Sequence, residues 1–186
     1  MGICYQIIDL GTQDVTFNGE AKKQHKIQVF WELPNSKMDD GRPMMVSKRY
    51  TFSSSSNGHL RKDLESWRAK AYTDEEIAGV DITKLLGVPA LLTITNEEKN
   101  GKTYTNVETV SKLMKGTAVP DRHNPTAYLA LDPGQFDQAV FDGLSDFFKD
   151  MIRKSPEYQE VIGGAVQQAG GGQQSSEEFL DDNLPF

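Results

Sequence analysis

The chain has a single cysteine, Cys4, so no disulfide can form within it, and a reducing cytoplasm is the expected setting. No run approaches the roughly eighteen apolar residues of a membrane span. The N-terminus also lacks the charged stretch followed by an apolar one that marks a secretory signal. Met1-Gly2-Ile3-Cys4 looks superficially like an acylation start, but Gln6 stands where myristoylation requires Ser or Thr. Catalytic constellations are missing too. His25, His59 and His123 lie far apart with no motif around them, no Cys/His spacing suits zinc, and Gly170-Gly171-Gly172 opens no phosphate-cradling helix. Neither an enzyme nor a resident cofactor or metal is expected.

What is present suffices for one domain with extensions: 186 residues, 37% hydrophobic, with nine Phe, six Tyr and two Trp. The net charge of −7 is unevenly placed. Residues 1–121 hold sixteen Lys/Arg and sixteen Asp/Glu, so the acidity belongs to the C-terminal third. A neutral body can still carry a basic groove.

Residues 3–10 and 15–17 read as one strand bent at Gly11 and closed by an Asn18-Gly19 turn. A lysine-rich loop (Lys22, Lys23, Lys26) then leads to a clear alternation. Ile27, Val29, Trp31 and Leu33 fall on one face, with Lys26, Gln28, Phe30 and Glu32 on the other. Phe30, an aromatic on the polar face, is the residue out of place. A third strand over 44–52 has no cleanly apolar face, and a bulge is invoked to let Arg49 and Tyr50 point the same way. Leu60, Leu64 and Trp67 mark an amphipathic helix over 59–71, and Thr73 starts a second short one. Strands 89–96 and 102–110 form a hairpin around Asn100-Gly101.

Three strands, a helical segment and two more strands match a mainly β five-stranded OB barrel, over 1–116, with the helix between strands 3 and 4. Other five-stranded barrels and small α+β sheets share that string. A C-terminal extension (117–162) carries apolar residues at helical spacing from Phe136 to Ile152. It is expected to be one amphipathic helix over about 134–153 docked by its aromatic stripe on the barrel's own surface, with a dimer interface or another protein's groove as the alternatives, and one more turn to Val161-Ile162. Then come a flexible Gly/Gln/Ser linker (163–176) and a disordered acidic tip (177–186).

The tip offers a carboxylate, an aromatic ring and acidic flanks, with Pro185 limiting the entropy lost on capture. Asp181-Asp182-Asn183-Leu184-Pro185-Phe186 resembles the C-terminal tip of bacterial and phage single-stranded-DNA-binding proteins. Leu86-Gly87, Asn100-Gly101-Lys102 and Tyr104 to Val107 are similar to phage members of that class. The resemblance implies a protein of DNA replication, recombination and repair. It would coat single-stranded DNA and recruit helicase, nuclease or primase through Asp181, Asp182, Leu184, Pro185 and Phe186. Homo-oligomerisation stays open.

Single-strand binding needs rings that stack on bases and cations that track phosphates. Phe30, Tyr50 and Tyr104 are the stacking candidates. Trp31 is kept with them although its parity belongs to the core. Lys26, Lys48, Arg49 and Lys102 are the phosphate candidates. The rival reading is a protein-interaction adaptor with an OB-like barrel that does not bind DNA.

Overall fold

The computed structural model describes residues 1–17, 19–53, 55 and 58–170, apart from the side chains of Phe17 and 164–170. Strands β1 (Gly2–Phe17) and β2 (Glu20–Lys37) form one long antiparallel hairpin, with Gly19 at φ 80° in its turn. The lysine-rich stretch before Ile27 is therefore strand, not loop. Lys22 and Lys23 oppose Val15 and Asp14 in an arm that buries neither face, and such an arm shows no apolar alternation in its sequence. The bend lies where Gly11 was expected to place it, at a bulge between Asp9 and Gly11 with Gly11 at φ 67°.

β3 (Pro43–Thr51) pairs with β2 in unbroken register from Lys26↔Thr51 to Leu33↔Met44. That continuity removes the bulge invoked for Arg49 and Tyr50, which point to opposite faces. Helix α1 (His59–Arg68) buries Leu60, Leu64 and Trp67. Helix α2 (Asp74–Ala78) starts at Thr73, whose hydroxyl accepts from the Glu76 N–H while Glu76 accepts from the Thr73 N–H. A 3-10 turn, Ile82–Leu85, leads into β4 (Pro89–Lys99) and β5 (Lys102–Ser111). Asn100 (φ 54°) and Gly101 (φ 71°) make the tight turn between them.

The strands form a six-stranded, mainly antiparallel sheet in the order β3-β2-β1-β4-β5. β6 (Ala127–Leu129), which the sequence pattern did not reveal, lies parallel to β1 at Gln6–Ile8. The sheet is not closed by a ladder. β3 and β5 meet at a seam where Lys48 Nζ donates to the Glu108 carbonyl at 2.7 Å. Among the described residues no helix is long and apolar enough to cross a membrane.

Each face of the central hairpin has its own core. Cys4, Ile7, Ile27, Val29 and Trp31 pack with α1 and the β4–β5 hairpin on one side. Ile8 and Leu10 pack with Leu129, Phe141, Leu144 and Ile152 on the other. The helix expected over 134–153 is two, α3 (Gln138–Asp142), capped by Asp137, and α4 (Asp146–Arg153), separated at Gly143. Their spacing survives the break because Phe141, Leu144, Phe148 and Ile152 all face the sheet. Helix α5 (Pro156–Gly170) runs beyond the single turn expected there and takes in residues 163–170, read from sequence as linker. Glu32, fully buried, pins the approach to β6 by accepting from the His123 and Asn124 N–H groups, each at 2.8 Å.

A polar latch holds α5 to the bulge. Glu157 accepts from Thr12 N–H at 2.8 Å and Thr12 Oγ1 at 2.6 Å, and His25 bridges Asp9 (2.7 Å) and Glu157 (3.4 Å). Gly11 permits this approach, since a Cβ there would stand 2.5 Å from Ser155. The hydrogen bond to Asp9 raises the His25 pKa, and the Asp9 and Glu157 charges add to it against the effect of burial. Burial pushes Glu157 up, but the Thr12 hydrogen bonds and the His25 charge together hold it below the usual carboxylate range. A raised histidine pKa stabilises the fold fully below the unfolded value of about 6.5, and the contribution fades as pH rises through the folded value. Unfolding free energy measured with urea should therefore fall as pH rises above about 6.5, and His25→Gln should flatten that fall. The same slope in the variant would contradict the latch.

Candidate nucleic-acid interface

Residues on the outer face of β2 and β3 follow from the register: Lys26 beside Thr51, Gln28 beside Arg49, Phe30 beside Ser47 and Glu32 beside Met45. The C-terminal helices cover one end of this face and leave the Lys26–Arg49 end open. There a groove of about 500 Å³ runs along the edge of β3, between it, the start of α1 and β5. Lys26, Lys48, Arg49, Tyr50 and Thr51 line it, with His59, Val107 and Glu108 opposite.

Two of its cations have no carboxylate partner among the described residues. Lys26 Nζ donates to Thr51 Oγ1 at 2.7 Å and to Gln24 Oε1, and Arg49 Nε donates to Gln28 Oε1 at 3.0 Å. Burial pulls the Lys26 ammonium below its ordinary range, and the nearby Arg49 charge pulls it further. Burial acts on Arg49 in the same direction. Two positive charges held together on neutral acceptors make a site where a phosphate would relieve repulsion.

Lys48 differs. Its Nζ lies 2.7 Å from Asp63, which also accepts from the Tyr50 hydroxyl at 2.7 Å. This trio belongs to the seam, so Lys48 is neutralised where it stands. Tyr50 is only 3% exposed, and burial beside Asp63 raises its hydroxyl pKa well above the usual tyrosine range. It cannot stack on a base. Trp31, fully buried 5.9 Å from the Trp67 ring, is a core residue as its parity required. Its indole N–H finds no acceptor among the described residues.

Phe30 is occupied rather than offered. It packs edge-on against Phe148 of α4, with centroids 5.5 Å apart, and against Tyr5. Freeing it would undock α4 and expose Ile152 and Phe148, at roughly 1.5–3 kcal/mol for each side chain. One stacked base returns about 1–3 kcal/mol. The helix stays down.

Lys102 and Tyr104 lie outside the groove but in line with it. Alternation along β5 puts both on the Glu108 face, and Tyr104 is 49% exposed opposite Glu97. At about 3.3 Å per residue, Tyr104 stands roughly 13 Å along the strand from Glu108. Glu108 itself opposes a polyanion here, held by Thr95 Oγ1 at 3.0 Å. Sequence reasoning missed His59 and Thr51, which line the groove, and Gln28, the buried amide that holds Arg49. The tip residues Asp181, Asp182, Leu184, Pro185 and Phe186 lie outside the described residues. Among the described residues no cluster of His, Cys, Asp and Glu is arranged to hold a metal ion.

Comparisons with protein-family models, with curated proteins and with solved structures returned no match.

These placements separate structural from binding roles. Tyr50→Phe removes a hydrogen bond to a charged acceptor and should cost about 1.5–3 kcal/mol of stability. Trp31→Ala, which empties a fully buried site beside Trp67, should cost about 3–5 kcal/mol. Urea denaturation measures both. A Trp31→Ala variant as stable as wild type would contradict the core assignment.

Proposed function

We propose that the chain is a single-stranded-DNA-binding protein built on an open OB-type barrel. The strand order supports this, since β3-β2-β1-β4-β5 is the sequence of neighbours obtained by cutting such a five-stranded barrel at the β3/β5 seam. OB folds bind oligonucleotides on the β2–β3 face between the loops joining strands 1–2 and 4–5. Here that face carries Lys26 and Arg49. The flanking arms are the β1–β2 hairpin beyond Gly11 and the β4–β5 hairpin with Lys102 and Tyr104.

One observation carries the reading: Lys26 and Arg49 converge in an open groove with no carboxylate partner among the described residues. Phosphates bind there by charge, and Tyr104 offers a ring to bases without reading their edges, so sequence preference is weak. No catalytic step is part of this function. The acidic tip, by its resemblance, recruits replication, recombination or repair proteins to the coated strand.

Fluorescence anisotropy of labelled oligo(dT), titrated at several salt concentrations, tests it. Binding should weaken with salt, and Lys26→Ala and Arg49→Ala should each weaken it about 5- to 10-fold. Each should also lower the slope of log K against log salt by about 0.7. No binding at low salt would favour the protein-interaction adaptor instead. Deleting Leu184-Pro185-Phe186 should leave DNA affinity unchanged or raised, and a large loss of affinity would contradict the division between barrel and tip.

A further inference from the structure

We infer that Phe147, on the C-terminal helix α4, is a base-stacking residue of the single-strand groove, taking the part that Phe30 cannot. The inference rests on the proposed DNA-binding function and adds a contact from outside the barrel. Phe147 is 61% exposed, whereas its neighbour Phe148 is turned into the core against Phe30. One residue along a helix is a turn of about 100°, so anchoring Phe148 leaves Phe147 at the edge of the docked helix, facing β3.

There it meets Arg49. The guanidinium carbon lies 5.8 Å from the Phe147 ring centroid, and the same guanidinium lines the groove beside Lys26. The Phe147 ring is also held edge-on by Phe148, with centroids 5.3 Å apart and planes at 72°, so little ordering is left for a ligand to impose. An exposed ring beside a cation that has no acidic partner among the described residues has the chemistry of a nucleotide site: the base stacks and its phosphate meets the arginine. The nearby acids act against this only in part. Asp150 is drawn to Arg153 at 3.1 Å, which leaves Asp146, next to Phe147 in sequence, and Glu108 across the groove as charges a phosphate would feel.

The full chain is titrated with labelled (dT)15 by anisotropy, beside Phe147→Ala, Phe147→Trp and Asp146→Asn. Phe147→Ala should weaken binding about 5- to 10-fold with an unchanged salt slope, because a ring and not a charge is lost. Its thermal midpoint should stay near wild type. Phe147→Trp should bind as wild type, and its indole, exposed where Trp31 and Trp67 are buried, should be quenched by DNA. Asp146→Asn should tighten binding slightly. If wild type binds and Phe147→Ala binds equally well, the inference fails and the DNA-binding function stands. If wild type does not bind, both fall. If Phe147→Ala leaves DNA binding intact but abolishes self-association seen by sedimentation, the ring belongs to a contact between copies, and the inference is likewise overturned.

Discussion

From Ile3 to Leu10 and from Ile27 to Glu32, short of the exposed arm, the β1–β2 hairpin is buried on both faces, and this double burial decides which side chains remain for function. On one face Ile7, Val29 and Trp31 pack under α1 and the β4–β5 hairpin, and on the other Ile8 and Leu10 lie under Phe141 and Ile152. A sheet covered on both sides has no apolar face left to offer a ligand. On the proposed function, recognition falls to the edge of β3 and to the two hairpin arms.

At that edge, charge is divided between two duties. Lys48, Asp63 and Tyr50 bond to one another and, through the Glu108 carbonyl, tie β3 to β5 where no ladder does. A buried pair of this kind is costly to break from one side, which makes it suited to holding a seam and poorly suited to exchanging ligands. Lys26 and Arg49 are held by uncharged oxygens, so a phosphate displaces no stronger partner. Lys26 on β2 and Lys48 on β3 thus do different things because Lys48 is tied to Asp63 of α1 and Lys26 is held by Thr51 and Gln24.

Much of the sheet and its helical insert was legible because the cues are local. The 27–33 alternation, the Leu60-Leu64-Trp67 spacing, the Thr73 cap and the Asn100-Gly101 turn each act within a few residues, and each stands as read. What was not legible depends on distant partners. Phe30 looked like an aromatic stranded on a polar face, because nothing near it in sequence says that Phe148 will cover it. Tyr50 looked free until Asp63 was seen to hold its hydroxyl. The β1–β2 arm buries neither face and β6 is three residues long, so neither has a periodicity to detect. Gly143 splits the C-terminal helix without disturbing its apolar spacing, and a pattern that survives a break cannot report it.

Hydrogen exchange of the full chain, with and without oligo(dT), tests the double burial most directly. With the C-terminal helices docked throughout, DNA should slow exchange around 47–52 and 145–149 and leave 28–32 unchanged. Slowed exchange at 28–32 together with faster exchange across 146–153 would mean that the helices lift to uncover Phe30, which would contradict a hairpin permanently covered on both faces.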